Sequence, residues 1–254
     1  MPNLKFQTQV SGEIDGVHHI RSKPLTELVE NFSFAGAVFY MITGSEPSES
    51  EEKVFNAILV ASIDNGLSPA SGFIPRVIAS TGNDLLHSLA GGVMALGPYH
   101  GGAISGAAEL ISQAKNQDLS AVVENYLSQN KRIPGLGHPH YKHNDPRTDQ
   151  LFSIAKDNHL STENQTVMMK IQEEFYKQTG KHLVINIDGA IAALLLDLGF
   201  PPEAGNGLFA LARVGGMIAH ILEEKNEKPV RRIDESDIEF ITPTGAKAEL
   251  AVKQ

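Results

Sequence analysis

Apolar residues recur at helical spacing in almost every segment from residue 25 to about residue 225. Glycines, prolines and capping residues stand between those segments. This punctuation directs the chain toward a packed array of short helices. LTELVENFSFAGAVFYMIT brings Leu25, Leu28, Val29, Phe32, Ala35, Val38 and Phe39 near one face of a helix ended by Gly44. Ser48 and Glu51 fit a capping box for EEKVFNAILVASIDNG, which Gly66 closes. Pro69 and Pro75 break DNGLSPASGFIPRVIASTGND into a loop with a short helix inside. DLLHSLAGGVMALG follows, with Asn83 as its cap. Further helices are expected over 103–115, in LSAVVENYLSQNK, and in DPRTDQLFSIAKDN with Asp145 as cap and Pro146 at the first helical position. STENQTVMMKIQEEFYKQTG, DGAIAALLLDLGF and 203–225 complete the set. Strand alternation is confined to the first 20 residues and HLVIN. The expected fold is all-α, with roughly ten helices. Pro/Gly punctuation at 97–102 and 200–207 marks an inserted domain: 1–100 and 205–254 form a large helical domain, 101–204 a smaller one.

The 254 residues carry a net charge of −9 and no basic stripe, which excludes nucleic acid as a partner. An anionic small molecule is still admitted, because a few converging arginines can set a local field against the global one. There is no cysteine, so disulfides, thiolate metal sites and a cysteine nucleophile are all excluded. That composition fits a cytoplasmic protein. MPNLKFQTQVSGEID holds no apolar signal core, and the longest nearly uncharged apolar run, 189–200, is too short to span a bilayer. It reads as a buried helix, and no membrane partner is expected.

Three segments carry acid–base groups. In GPYHGGAISGAAEL, His100 sits at a turn among Gly97, Pro98, Gly101 and Gly102, just before a helix. An imidazole and free backbone N–H groups at a helix N-terminus suit developing negative charge, as in chemistry on a carbonyl or carboxylate. In GLGHPHYKHNDPR, His138 is flanked by glycines 135 and 137 and by Pro139. The spacing of His138, His140 and His143 permits zinc, but no Glu or Asp stands in a zincin pattern, and no metal is assigned. In VINIDGAIAALLL, Asp188 is either a helix N-cap or a general base. The apolar flank would raise its pKa and the helix N-terminus would lower it. Singly, each residue has a structural reading: loop histidine, surface histidine, cap. Three such groups, each beside glycine at a helix entrance, are a stronger joint signal.

GPYHGGA, GLGHPHYKHNDPR and NIDG, in that order, together with ALARVGGMIAHILEE, resemble the citrate synthase superfamily over roughly 25–240. The resemblance implies a citrate-synthase-like fold whose small domain closes over the site, and a homodimer. It gives His100 the enolate of acetyl-CoA, Asp188 the methyl proton, and His138 the proton of the oxaloacetate carbonyl or citryl hydroxyl. Arg147 and Arg213 match carboxylate-binding arginines, whose planar forks grip such anions in bidentate fashion. Arg231 or Arg232 matches an arginine contributed to the neighbouring subunit. Lys142 and the backbone around Leu136 and Gly137 fall on the coenzyme A side. Asn65, in Asp64-Asn65-Gly66, stands where the family carries a substrate-binding histidine. Asn donates a hydrogen bond without a charge. The sequence is also short against full-length citrate synthases, which with the C-terminal half is similar to the citryl-CoA lyase module. The implied activity is cleavage of citryl-CoA to acetyl-CoA and oxaloacetate. The coenzyme A thioester is then a substrate and no cofactor is permanently bound. The alternatives are a citrate or 2-methylcitrate synthase, and a non-catalytic paralogue that binds coenzyme A or citrate.

Overall fold

The computed structural model describes residues 6–229. Three short strands open it: β1 (Ser11–Ile14), β2 (Val17–Ile20) and β3 (Lys23–Pro24), antiparallel in the order β1-β2-β3. Asp15 and Gly16, both at positive φ, make the β1–β2 turn that a twisted hairpin favours. Ile20 packs the sheet against Leu28 and Tyr40 in a small satellite cluster.

Eleven helices follow among the described residues. They are α1 (Leu25–Asn31), α2 (Phe34–Thr43), α3 (Glu49–Ser62), α4 (Ala70–Ser80), α5 (Leu85–Met94), α6 (Ala103–Ala114), α7 (Leu119–Ser128), α8 (Pro146–Asp157), α9 (Glu163–Thr179), α10 (Ile187–Asp197) and α11 (Ala204–Glu224). The all-α expectation holds, with local corrections. The first helical pattern is two helices, because Phe32 turns extended and the Ser33 hydroxyl caps α2 by accepting from Gly36 N. Val29 is therefore 77% exposed instead of facing the core with Leu28. Pro75 lies inside α4; its ring packs against Gly92 of α5, so tertiary contact offsets the lost backbone bond. The cap of α5 is Asp84, whose carboxylate accepts from His87 N; Asn83 instead donates to Ile78 O. HLVIN forms no strand and contributes one isolated bridge, Leu136 to Ile185. The Ser48–Glu51 capping box and the Asp145–Pro146 start of α8 are present.

The apolar run 189–200 becomes α10, buried from Gly189 through Leu195 and packed against α6, α8 and α9. On the other side, α11 packs against α3, α4, α5 and α6. By length and composition alone α11 could cross a membrane, but those contacts and the buried Arg213 within it make it a core helix.

Candidate active site

A cavity of about 430 Å3 opens between α6 and α10 on one side and α11 with the end of α3 on the other. Its walls include Asn65, His100, Arg132, Gly137, His138, Arg147, Asp188 and Arg213.

His138 and Asp188 meet because two segments are stitched backbone to backbone. Gly137 N donates to Val184 O (2.7 Å), Asn186 N to Gly135 O (3.0 Å), and Asn186 Nδ2 to Gly137 O (2.9 Å). The Gly135–Gly189 crossing admits no side chain: a Cβ on Gly189 would lie 2.5 Å from Gly135 O. The cap of α10 is Asn186, which accepts from Gly189 N, so Asp188 is not the cap. It sits in the first turn, on the cavity wall, with no hydrogen bond or ion pair among the described residues. Burial raises its pKa, against the opposing pull of the Arg147 and Arg213 charges.

His100 closes a tight hairpin in which Gly97 and His100 exchange both backbone bonds at 2.8 Å, with Pro98 and Tyr99 at the corner. Gly101 then turns at φ +77°, with the Phe209 ring 2.7 Å from where a Cβ would stand. Arg213 Nη1 donates to Ser71 Oγ (3.1 Å), and that hydroxyl lies 2.8 Å from His100 Nε2. Ser71 N also donates to Nε2 (3.3 Å), so Nε2 accepts and the neutral ring carries its proton on Nδ1. Burial, helped by the Arg213 charge, lowers the pKa of His100 and keeps the ring neutral. The expected row of free amides at α6 is partly filled, since Ser105 N donates to Asn206 Oδ1 (3.0 Å).

His138 is held the opposite way round. Its Nδ1 accepts from His140 N and Tyr141 N, both at 3.1 Å, which leaves the ring proton on Nε2. Arg147 Nη2 lies 3.4 Å from that atom, so two donors face each other with no acceptor between them. Such an arrangement is built for an oxygen. Burial lowers the pKa of His138; Asp145 opposes this and the cations Arg147 and Lys142 add to it. Arg147 is itself fixed by the fully buried Asp145, through Nε to Oδ1 (3.0 Å) and Nη2 to Oδ2 (2.7 Å). Burial works to raise the Asp145 pKa, but the Arg147 hydrogen bonds and charge hold it below the ordinary value.

Arg213 is 5% exposed and forms no ion pair among the described residues. Its Nε donates to Ser62 O (2.8 Å) and its guanidinium lies over the Phe209 ring at 4.6 Å. Burial lowers its pKa, opposed by the Asp64 and Asp188 charges. A buried cation without a carboxylate partner is a standing site for an anion.

The structure thus gathers His100, His138, Asp188, Asn65, Arg147, Arg213 and Gly137 on one cavity. Leu136 does not join them; it points into the core beside Ile185. Lys142 lies outside the cavity wall, near enough for its charge to act on His138. Arg231 and Arg232 lie outside the described residues. Sequence reasoning missed Ser71, which links two site residues, and Arg132, a cation on the cavity wall without a partner among the described residues. Arg132 had a local signal: it stands three residues before Gly135 in the same glycine-rich segment.

Two histidines of lowered pKa, a carboxylate of raised pKa and two arginines in one cleft define a class: helical proteins whose cleft is equipped for acid–base chemistry. The chain belongs to the citrate synthase family, whose C-terminal domain model matches residues 14–233. It is similar to citrate synthase 2 of Bacillus subtilis, 31% identical over 87% of this chain and 60% of that one. It therefore spans about 60% of the length of that curated relative. Among solved structures, the citryl-CoA lyase of Hydrogenobacter thermophilus is 39% identical with a TM-score of 0.88, over 93% of this chain and 94% of that one. The ATP citrate lyase of Methanothrix soehngenii, solved with citrate and coenzyme A, is 26% identical with a TM-score of 0.85, over 96% of this chain and 42% of that one.

Proposed function

We propose that the chain is a carbon–carbon lyase that cleaves citryl-CoA to acetyl-CoA and oxaloacetate. The observation that carries this reading is its likeness to a citryl-CoA lyase, 39% identical with a TM-score of 0.88, against 31% identity to a citrate synthase. In the proposed step, His138 takes the citryl hydroxyl proton and the carbon–carbon bond breaks. The electron pair passes to the thioester oxygen, which accepts from His100 Nδ1–H. Protonated Asp188 delivers its proton to carbon and completes the methyl group. Arg147 and Arg213 hold the oxaloacetate. Arg132 and Lys142, without partners among the described residues, suit the phosphates of coenzyme A.

For cleavage, His138 must present a bare Nε2. Its ring proton then moves to Nδ1, which releases the amides of His140 and Tyr141. The tautomer set by those amides instead suits donation to a keto-acid carbonyl. That observation favours a second reading, condensation by a citrate or 2-methylcitrate synthase. A homodimer is part of the proposal in either case. It is supported by the apolar surface of α4, α5 and the His100 hairpin, where Phe73, Leu86, Met94 and Tyr99 stand exposed.

The test supplies the protein with citryl-CoA, and separately with acetyl-CoA or propionyl-CoA plus oxaloacetate. A lyase releases acetyl-CoA and oxaloacetate in equal amounts from citryl-CoA. It liberates little free coenzyme A from the condensation mixtures. Stoichiometric free coenzyme A from those mixtures would establish the synthase reading instead, and no turnover in any mixture would leave a binding protein.

A further inference from the structure

Helix α11 grips the end of α3 and the loop after it at three levels. Arg213 Nε donates to Ser62 O (2.8 Å). Gly216 lets Ile63 O approach so closely that a Cβ there would stand 2.5 Å from that oxygen and 2.8 Å from Asp64 Oδ1. One turn on, His220 Nε2 lies 3.1 Å from Asp64 Oδ1. The other Asp64 oxygen accepts from Gly66 N at 2.9 Å. Asp64 is thereby tied to α11 and to its own loop, where the Asn65 backbone N–H is also directed at its carboxylate, and Asn65 lines the cavity with its side-chain amide unbonded among the described residues. The far side of His220 is also held. Its Nδ1 lies 4.0 Å from Glu223, which pairs with Arg76 of α4 at 2.6 Å.

We infer that His220 is a positioning residue for the carboxylate-bearing half of the substrate, acting through Asp64 on Asn65. This rests on the proposed reaction for its substrate class. Asp64 is itself on the cavity wall, next to where Arg213 would meet a carboxylate. Tied to His220, its charge is directed at α11. Released, it repels an incoming di- or tricarboxylate and lets the Asn65 amide swing. His220 touches no cavity wall, so its loss alters binding with the reacting groups in place.

The test compares His220→Leu, which keeps bulk and removes the donor, with His220→Gln, which keeps an N–H. Citrate binding is measured by calorimetry, and KM and kcat with citryl-CoA. His220→Leu is expected to weaken citrate and raise KM about 10-fold, the loss of one hydrogen bond, with kcat within about 3-fold of wild type. His220→Gln should restore most of that loss. Adding Asn65→Ala to His220→Leu should cost less than Asn65→Ala costs alone, since both remove one contact. Unchanged citrate affinity in His220→Leu overturns the inference. So does an equal fall in kcat and thermal midpoint that His220→Gln does not rescue, which would make His220 merely structural. If the wild type turns over no thioester yet His220→Leu still weakens citrate, the reaction fails and the positioning role stands.

Discussion

Gly189→Ala tests how the fold brings His138 and Asp188 together. The added methyl would lie 2.5 Å from Gly135 O and 2.9 Å from Gly135 Cα, both backbone atoms that no side-chain rotation can clear. An ordinary carbon–oxygen contact is about 3.3 Å, so α10 and the His138 loop must part by about 0.8 Å. Gly135 O is also the acceptor for Asn186 N, so the displacement stretches the bonds that stitch the two segments. Overpacking of this kind costs about 1–3 kcal/mol. A misplacement near 1 Å between reacting groups costs about 100-fold in rate. Gly189→Ala should therefore unfold at lower urea concentration and lose about 100-fold in kcat, by more than its stability loss explains at 25 °C. Paired urea titrations and steady-state assays measure both. Wild-type kcat in a folded Gly189→Ala protein would refute the reasoning that this crossing sets the distance between the two acid–base groups.

Burial holds the Asp188 pKa above its unfolded value, so the native state binds more protons between the two and stability falls as pH rises through that window. Asp188→Asn removes the cost; urea midpoints should exceed wild type at pH 7 and converge with it below about pH 4. Ser71→Ala breaks the link between Arg213 and His100; the Ser71 amide still donates to Nε2, so a loss of about 10-fold in kcat, with unfolding free energy lowered by no more than about 1 kcal/mol, is expected from stopped assays and urea titrations. Ser48→Ala removes the hydroxyl half of the capping box on α3, far from the cavity, while the residue-48 N–H still donates to Glu51; it should cost about 1 kcal/mol in the same titrations while leaving kcat and KM unchanged.

Local signals were readable and distant ones were not. Ser48 with Glu51, and Asp145 with Pro146, act within one helical turn, so the sequence alone places them. Where two polar residues compete for one cap, the reading slips: Asp84 displaces Asn83, and Asn186 takes the role open to Asp188. That second substitution frees Asp188 for the cavity. His100, His138 and Asp188 were legible through the glycines around them, which mark close approach. Their mutual orientation was not. It depends on Ser71, 29 residues from His100, and on Arg213, 142 residues from Ser71, a link no local pattern carries. The tautomer of His138 likewise follows from two amides whose direction only the folded loop defines. Leu136 shows another limit: it stands between Gly135 and Gly137, both at positive φ, and this turn sends its side chain into the core while Gly137 lines the cavity.

In the proposed reaction, carbon–carbon cleavage proceeds through an enolate reprotonated by Asp188. Citryl-CoA cleaved in deuterium oxide tests it most directly, with the acetyl-CoA product read by mass spectrometry. One deuterium is expected in the product methyl group, and Asp188→Asn should form that product about 100- to 10,000-fold more slowly. Deuterated acetyl-CoA formed at wild-type rate by Asp188→Asn, or citrate and free coenzyme A as the wild-type products, would contradict the proposed reaction.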